Sequence, residues 1–251
     1  MSPARLAGVR GVLLDIDDTL VVTREAFGAG IAAVLRERVP DITGERLAEA
    51  TAMWRADPNG HYRRYVRGEL TKDEQRLHRA NEVHAHLGVA RLDRDTFPAW
   101  DAVFWDGFEA AWRPFDDAAG AVASLTGAGL ALGALTNAEG PMSQRKLVAT
   151  GFGNSVRLLV SLSTFGVGKP DPRVFREGVR LLGLEPEETV YVGDELDTDA
   201  IAAREAGLHG VWLDRPGARR GGVHLEDPGV ARELGIPVIG SLGELPGLLG
   251  R

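Results

Sequence analysis

In Gly11-Val12-Leu13-Leu14-Asp15-Ile16-Asp17-Asp18-Thr19-Leu20 an uninterrupted apolar run drives into a cluster of acids. A short apolar run of this kind reads as a central strand of a parallel sheet, buried on both faces. Ligands of open α/β sheets bind just beyond the carboxyl ends of the strands. Carboxylates placed there are costly to bury without a partner or a metal. A divalent cation with a phosphate-bearing substrate would satisfy Asp15 and Asp17; a solvated acidic turn is the simpler reading, and the rest of the chain has to decide between them.

Working outward, five more strands are predicted. Leu130 to Leu135 runs into Thr136-Asn137, and Val156 to Leu162 leads into the loop carrying Lys169. Thr189 to Val192 ends in Gly193-Asp194, Gly210 to Leu213 ends in Asp214, and Pro237 to Ile239 is a weaker sixth. Helical stretches between them give the βαβ rhythm of a doubly wound parallel sheet. Asp171 before Pro172 reads as a helix N-cap and Gly183 as its stop. Pro141 opens another helix that Gly151 closes, and Gly207 ends the helix after Asp194.

One interval breaks the rhythm. From about Arg24 to Trp112 no buried strand is evident, and Ile31, Val34, Leu35 and Val39 share one helical face. Thr71-Lys72-Asp73-Glu74 matches a capping box. So long a span is no ordinary loop. The expectation is an α/β core of residues 1–22 and 114–251, with a helical domain, 23–113, inserted after the first strand. The tail from Gly217, including Arg219 and Arg220, offers only an edge strand and a terminal helix.

The composition excludes several classes. The formal net charge of −7 argues against general affinity for nucleic acid or anionic lipid. The absence of cysteine removes disulfide scaffolds, thiolate zinc sites and cysteine nucleophiles. Met1 to Arg10 lacks an apolar core of signal length, and no stretch approaches the ~18 apolar residues of a membrane span. A cytoplasmic protein, monomeric or homodimeric, is expected.

The predicted strand ends collect Asp15, Asp17, Thr19, Thr136, Asn137, Lys169, Asp194 and Asp199 on one edge of the sheet. Carboxylates, an ammonium, hydroxyls and an amide suit phosphoryl transfer, which needs a nucleophile, charge neutralisation and positioning. Each alone has a bland reading: Lys169 as a solvated lysine, Thr136-Asn137 as a turn, Asp194 as a helix cap.

In order along the chain, Asp15-Ile16-Asp17-Asp18-Thr19, Leu135-Thr136-Asn137, Lys169 in Gly168-Lys169-Pro170, and Gly193-Asp194 through Asp199 resemble the four motifs of the haloacid dehalogenase-like (HAD) hydrolase superfamily. The resemblance implies a Rossmann-like core, with the insertion as a C1 cap that selects small substrates and excludes solvent. It implies a Mg²⁺-dependent phosphatase acting on a small phosphate monoester such as a nucleotide, a sugar phosphate or phosphoglycolate. Asp15 is then the nucleophile. The Asp17 side chain is the proton donor and acceptor, and its backbone carbonyl reaches the metal. Asp194 joins Asp15 as a metal ligand, with Asp199, or Asp197, as accessory acid. Thr136 and the Asn137 backbone N–H hold phosphate oxygens, Lys169 neutralises charge, and Thr19 orients the loop by hydrogen bonding.

Within this fold a 2-haloacid dehalogenase would need no acid at position 17, and a β-phosphoglucomutase type usually carries Gly-Val where this chain has Asp18-Thr19. A receiver-like phospho-acceptor would take its phosphate on a later strand. His84-Ala85-His86 has the wrong spacing for a helical metal site. Trp54, Trp100, Trp105 and Trp112 are expected in the insertion's core. Arg63, Arg64 and Arg67 form either a solvated face or a reader of a second anionic group.

Overall fold

The computed structural model describes residues 6–219 and 225–251. Arg220 and the opening of the Met1–Arg10 stretch lie outside these residues. The chain forms two compact units, one from the described residues of Met1–Val22 and Arg113–Arg251, the other from Thr23–Trp112.

The first unit is a six-stranded, all-parallel sheet in the order β3-β2-β1-β4-β5-β6. The strands are β1 (Gly11–Leu14), β2 (Ala131–Leu135), β3 (Arg157–Val160), β4 (Thr189–Gly193), β5 (His209–Leu213) and β6 (Val238–Ile239). β1 and β4 are buried along their whole length, as parallel strands covered on both faces must be. β3 stops at Val160, short of the predicted Leu162. Ser161 caps a short helix there, its backbone N–H donating to Thr164 Oγ1.

β1 sits between β2 and β4, with Leu14 level with Ala134 on one side and Val192 on the other. Chain order reverses at this point, so the crevice beyond β1 is where the topology places a ligand. Side chains alternate across the sheet, so Leu13 and Asp15 share a face with Tyr191, which pairs with Leu13. That face packs Leu13, Leu135, Phe175, Val179 and Tyr191 into one apolar cluster.

In the second unit, α1 (Thr23–Arg38), α2 (Gly44–Ala56), α3 (His61–Val66), α4 (Lys72–Leu87) and α5 (Phe97–Ala110) form a helical body. Thr71 closes the expected capping box at the head of α4. Trp54 and Trp100 are fully buried with ring centroids 5.9 Å apart, and Phe104 packs against both, stacked on Trp100 and tilted against Trp54. Trp105 and Trp112 remain partly exposed, so only half of the expected tryptophans are true core. The first unit's helices are α6 (Ala118–Gly127), α7 (Gly140–Ala149), α8 (Leu162–Phe165), α9 (Pro172–Leu182), α10 (Ala202–Glu205), α11 (Pro228–Glu233) and α12 (Leu245–Leu248). No helix among the described residues is long and apolar enough to cross a membrane.

Candidate active site

The chain leaves β1 by a tight turn. The Asp15 N–H donates to Val192 O at 2.9 Å, the last tie of the strand to its neighbour. Asp18 then enters the left-handed region at φ 56°, which aspartate tolerates better than most residues. Ile16 O accepts from both Leu20 N at 3.0 Å and Val21 N at 2.9 Å, closing the loop on itself. Asp15 therefore stays at the sheet edge, 4% exposed, while Asp17 turns toward α7.

Lys169 is the hub. Its Nζ donates to Asp15 Oδ1 at 2.7 Å, Asp199 Oδ1 at 2.6 Å and Tyr191 Oη at 2.8 Å. An ammonium has three donors, and all three are used. The loop bearing Lys169 is gripped by Asn137: Lys169 N donates to Asn137 Oδ1 at 2.6 Å, and Asn137 Nδ2 donates to Lys169 O at 3.0 Å. Asp171 caps α9 just beyond, accepting from Arg173 N at 2.9 Å.

Asp199 arrives on a π-helical segment, Leu196–Ile201, of a kind often found at functional sites. The wider turn points Asp199 inward, 1% exposed, while Asp197 accepts locally from Thr198 N. Asp199 Oδ2 also accepts from Glu195 N at 3.0 Å. Gly193 makes room, since a Cβ there would lie 2.2 Å from Asp199 Oδ2. Carboxylate oxygens of Asp15, Asp194 and Asp199 lie within 4.8 Å of one another.

The electrostatics follow from burial. Desolvation pushes the Asp15 carboxyl up to about 8; Lys169 opposes this, while the charges of Asp199 and Asp17 add to it. Burial raises Asp199 likewise against the pull of Lys169. Burial alone would discharge Lys169, but Asp15 and Asp199 outweigh it and hold the ammonium charged well beyond the ordinary lysine range. Three acids facing one ammonium leave negative charge unmatched. An all-oxygen donor set of this kind fits a hard divalent cation.

Asp15, Lys169, Asp194 and Asp199 thus come together. The Asp17 side chain is not in the three-acid cluster; its Oδ1 is ion-paired with Lys146. Thr136 is buried, and its Oγ1 accepts from Ala138 N at 3.1 Å. The Thr19 hydroxyl is buried with no hydrogen-bond partner among the described residues. The bond at this position is made by the backbone, Thr19 O accepting from Arg215 Nη2 at 3.1 Å while Arg215 is clamped to Asp117 at 2.8 Å.

Lys146, Tyr191 and Arg215 were not among the expected residues. Lys146 was accessible to periodicity, since Ser143, Lys146 and Leu147 share one buried face of α7. Tyr191 in a fully buried strand needs a partner for its hydroxyl. In the helical unit, Arg64 and Arg67 both pair with Glu69, at 3.3 and 2.6 Å. His84 Nδ1 donates to the Ala90 carbonyl at 2.6 Å while His86 contacts Glu49, so the two rings share no ligand position.

A model of the haloacid dehalogenase-like hydrolases matches residues 9–207. The glyceraldehyde 3-phosphate phosphatase of Methanopyrus kandleri is 30% identical over 216 residues, 82% of this chain and 84% of that protein. The phosphoserine phosphatase of Thermus thermophilus is 39% identical over 108 residues, 43% of this chain and 41% of that protein, so that match spans less than half of either. Among solved structures, the HAD-hydrolase YfnB of Bacillus subtilis bound to magnesium superposes with a TM-score of 0.76 at 22% identity, covering 97% of this chain and 99% of that one. At that identity the likeness speaks for the fold.

Proposed function

The chain belongs to the haloacid dehalogenase-like hydrolases, and from that premise we propose that it is a Mg²⁺-dependent phosphatase of small phosphate monoesters, working through an aspartyl-phosphate on Asp15. The observation that carries this reading is Lys169 bridging Asp15 and Asp199 beside Asp194. A nucleophilic carboxylate, a fixed cation and a spare set of acidic oxygens stand at one strand tip, which is what phosphoryl transfer requires. The relatives named for glyceraldehyde 3-phosphate and phosphoserine support a substrate that is a small polar phosphate ester.

An Asp15 carboxylate oxygen attacks phosphorus, the O–P bond to the leaving alkoxide breaks, and Asp17 gives that oxygen its proton. Asp17 then takes a proton from water as the water oxygen attacks phosphorus, releasing inorganic phosphate and restoring Asp15. Lys169 neutralises Asp15 and the transferring oxygens throughout. Thr136 and the Asn137 backbone N–H hold the phosphoryl oxygens, and Asn137 sets the Lys169 loop. Asp15, Asp194 and the Asp17 backbone carbonyl would hold the cation. Asp199 Oδ1 accepts from Lys169 and Oδ2 from Glu195 N, so Asp199 steadies Lys169 while each oxygen keeps a lone pair that could also face the cation. When bound, Mg²⁺ supplies charge neutralisation to the phosphoryl oxygens.

A screen of phosphate esters with Mg²⁺ tests the reading. Phosphate release that needs the cation and vanishes in Asp15→Asn is expected. No release from any ester with Mg²⁺, Mn²⁺ or Co²⁺ would overturn it.

A further inference from the structure

Two lysines divide the two acids of Asp15-Ile16-Asp17 between them. Lys169 holds Asp15, and Lys146 Nζ pairs with Asp17 Oδ1. Lys146 projects from α7, the helix that follows the Thr136-Asn137 loop, and its side chain is 1% exposed while that of Asp17 is 33% exposed. A lysine on a surface helix normally keeps its ammonium in water, and withdrawing one this far is costly unless a specific counter-ion receives it. α7 is fixed on both sides of Lys146: Ser143 Oγ donates to Glu139 O at 2.8 Å, and Thr150 Oγ1 donates to Lys146 O at 2.7 Å. The ammonium is therefore delivered to Asp17 from a rigid element.

We propose that Lys146 is a positioning residue for the proton transfers of Asp17, an inference that rests on the phosphatase reading above. A carboxyl group whose Oδ1 accepts from an ammonium favours carrying its own proton on Oδ2, because the carbonyl oxygen is the better acceptor. Lys146 thereby assigns the proton to Oδ2 and fixes the plane of the group. In the first step the proton leaves Asp17 Oδ2 for the leaving oxygen as that oxygen's bond to phosphorus breaks. In the second, Oδ2 recovers a proton from the attacking water as the Asp15–phosphorus bond breaks. Without Lys146 the carboxyl rotates, and the proton is presented to the leaving oxygen in only a fraction of encounters.

A leaving-group comparison separates this role from a structural one. Phenyl phosphate and p-nitrophenyl phosphate are similar in shape, but phenolate needs a proton far more than p-nitrophenolate does. The quantity to measure, with Mg²⁺ present, is the ratio of kcat/KM for p-nitrophenyl phosphate to that for phenyl phosphate. Lys146→Met is expected to raise this ratio about tenfold or more, the lower end of what acid catalysis contributes. Lys146→Arg should restore the wild-type ratio, because it returns a cationic donor to Asp17. If the methionine variant does not fold, Lys146→Leu, which also lacks a donor, is read in its place, with circular dichroism confirming the fold. Both esters slowed equally, or an unchanged ratio, would make Lys146 a packing residue and overturn the inference alone. A wild-type protein that releases phosphate from neither ester overturns the phosphatase reading, and this inference with it.

Discussion

Asn137 holds Lys169 by its backbone, with Oδ1 2.6 Å from Lys169 N and Nδ2 3.0 Å from Lys169 O. The amide reads both backbone polar groups of one residue, so the ammonium's position is set at the root of its side chain. Asn137→Ala removes both bonds while Lys169 keeps its charge. Because small displacements of a catalytic group cost about 10²-fold, kcat should fall by roughly that factor. Asn137→Asp keeps the acceptor for Lys169 N but sets a carboxylate against Lys169 O, and should recover little. Steady-state kinetics on the best ester from the screen checks this; an alanine variant within twofold of wild type would show that the loop holds itself.

Gly193 allows Asp199 to reach Lys169. A Cβ at Gly193 would stand 2.2 Å from Asp199 Oδ2 and 2.3 Å from its Cγ, too close for any rotamer adjustment that keeps both bonds to Lys169 and Glu195. Gly193→Ala should destabilise the protein by about 1–3 kcal/mol, as overpacking does, and abolish activity at the same time. Urea denaturation and the phosphatase assay together check it. An active, destabilised variant would show that Asp199 is dispensable to the site.

The raised carboxyl of Asp15 gives metal binding a definite pH dependence. In the cation-free protein its pKa is about 8, against 3.8 for the ordinary group. Between those values the folded chain keeps a proton that the unfolded chain has lost. Stability of the cation-free protein should therefore fall as pH rises through that window, and the loss should end above about 8. A cation must displace the same proton, so Mg²⁺ affinity should rise about tenfold per pH unit below the raised value. Calorimetric titration at several pH values, in buffers of different ionisation enthalpy, should find close to one proton released per ion. A pH-independent affinity would mean that Asp15 is ionised before the cation arrives.

Most of the architecture was legible because parallel strands buried on both faces carry a continuous apolar signature. Gly11–Leu14 and Thr189–Gly193 needed no further information. Leu162 was misread as strand because it is apolar, whereas Ser161 one residue earlier turns the chain into α8. At the site, Asp15, Lys169, Asp194 and Asp199 were legible as chemistry at strand ends. Residues that act through others were not. Tyr191 looks like strand filling, Lys146 looks like a helix-surface lysine, and the Asn137 amide was counted toward phosphoryl transfer without its grip on the Lys169 loop. Their roles depend on pairings across the fold, Lys146 with Asp17 and Asn137 with Lys169, that no local pattern encodes. At Thr19 the side chain is buried, and Arg215 braces the loop through the Thr19 carbonyl.

The helical unit contains its own test of how buried charge is tolerated. Arg76 on α4 is 4% exposed at the side chain, with Nε 2.5 Å from Asp101 Oδ1 and its guanidinium 4.4 Å from the ring centroids of both Phe104 and Trp105. Burial lowers its pKa, and Asp101 works against that shift. Asp101→Ala would strand the cation among aromatic rings and also take the acceptor from Trp105 Nε1, now at 2.9 Å. Breaking a buried pair from one side costs about 3–5 kcal/mol, and the 16% exposure of Asp101 points to the lower end of that range. Arg76→Met removes the charge and keeps an apolar stem against the same rings, leaving Asp101 able to reach water; its cost should stay within about 1.5 kcal/mol. The asymmetry between the two variants in thermal or urea unfolding is the quantity to measure. Equal losses would mean that the ion pair, rather than the stacking of the guanidinium, holds α4 to α5.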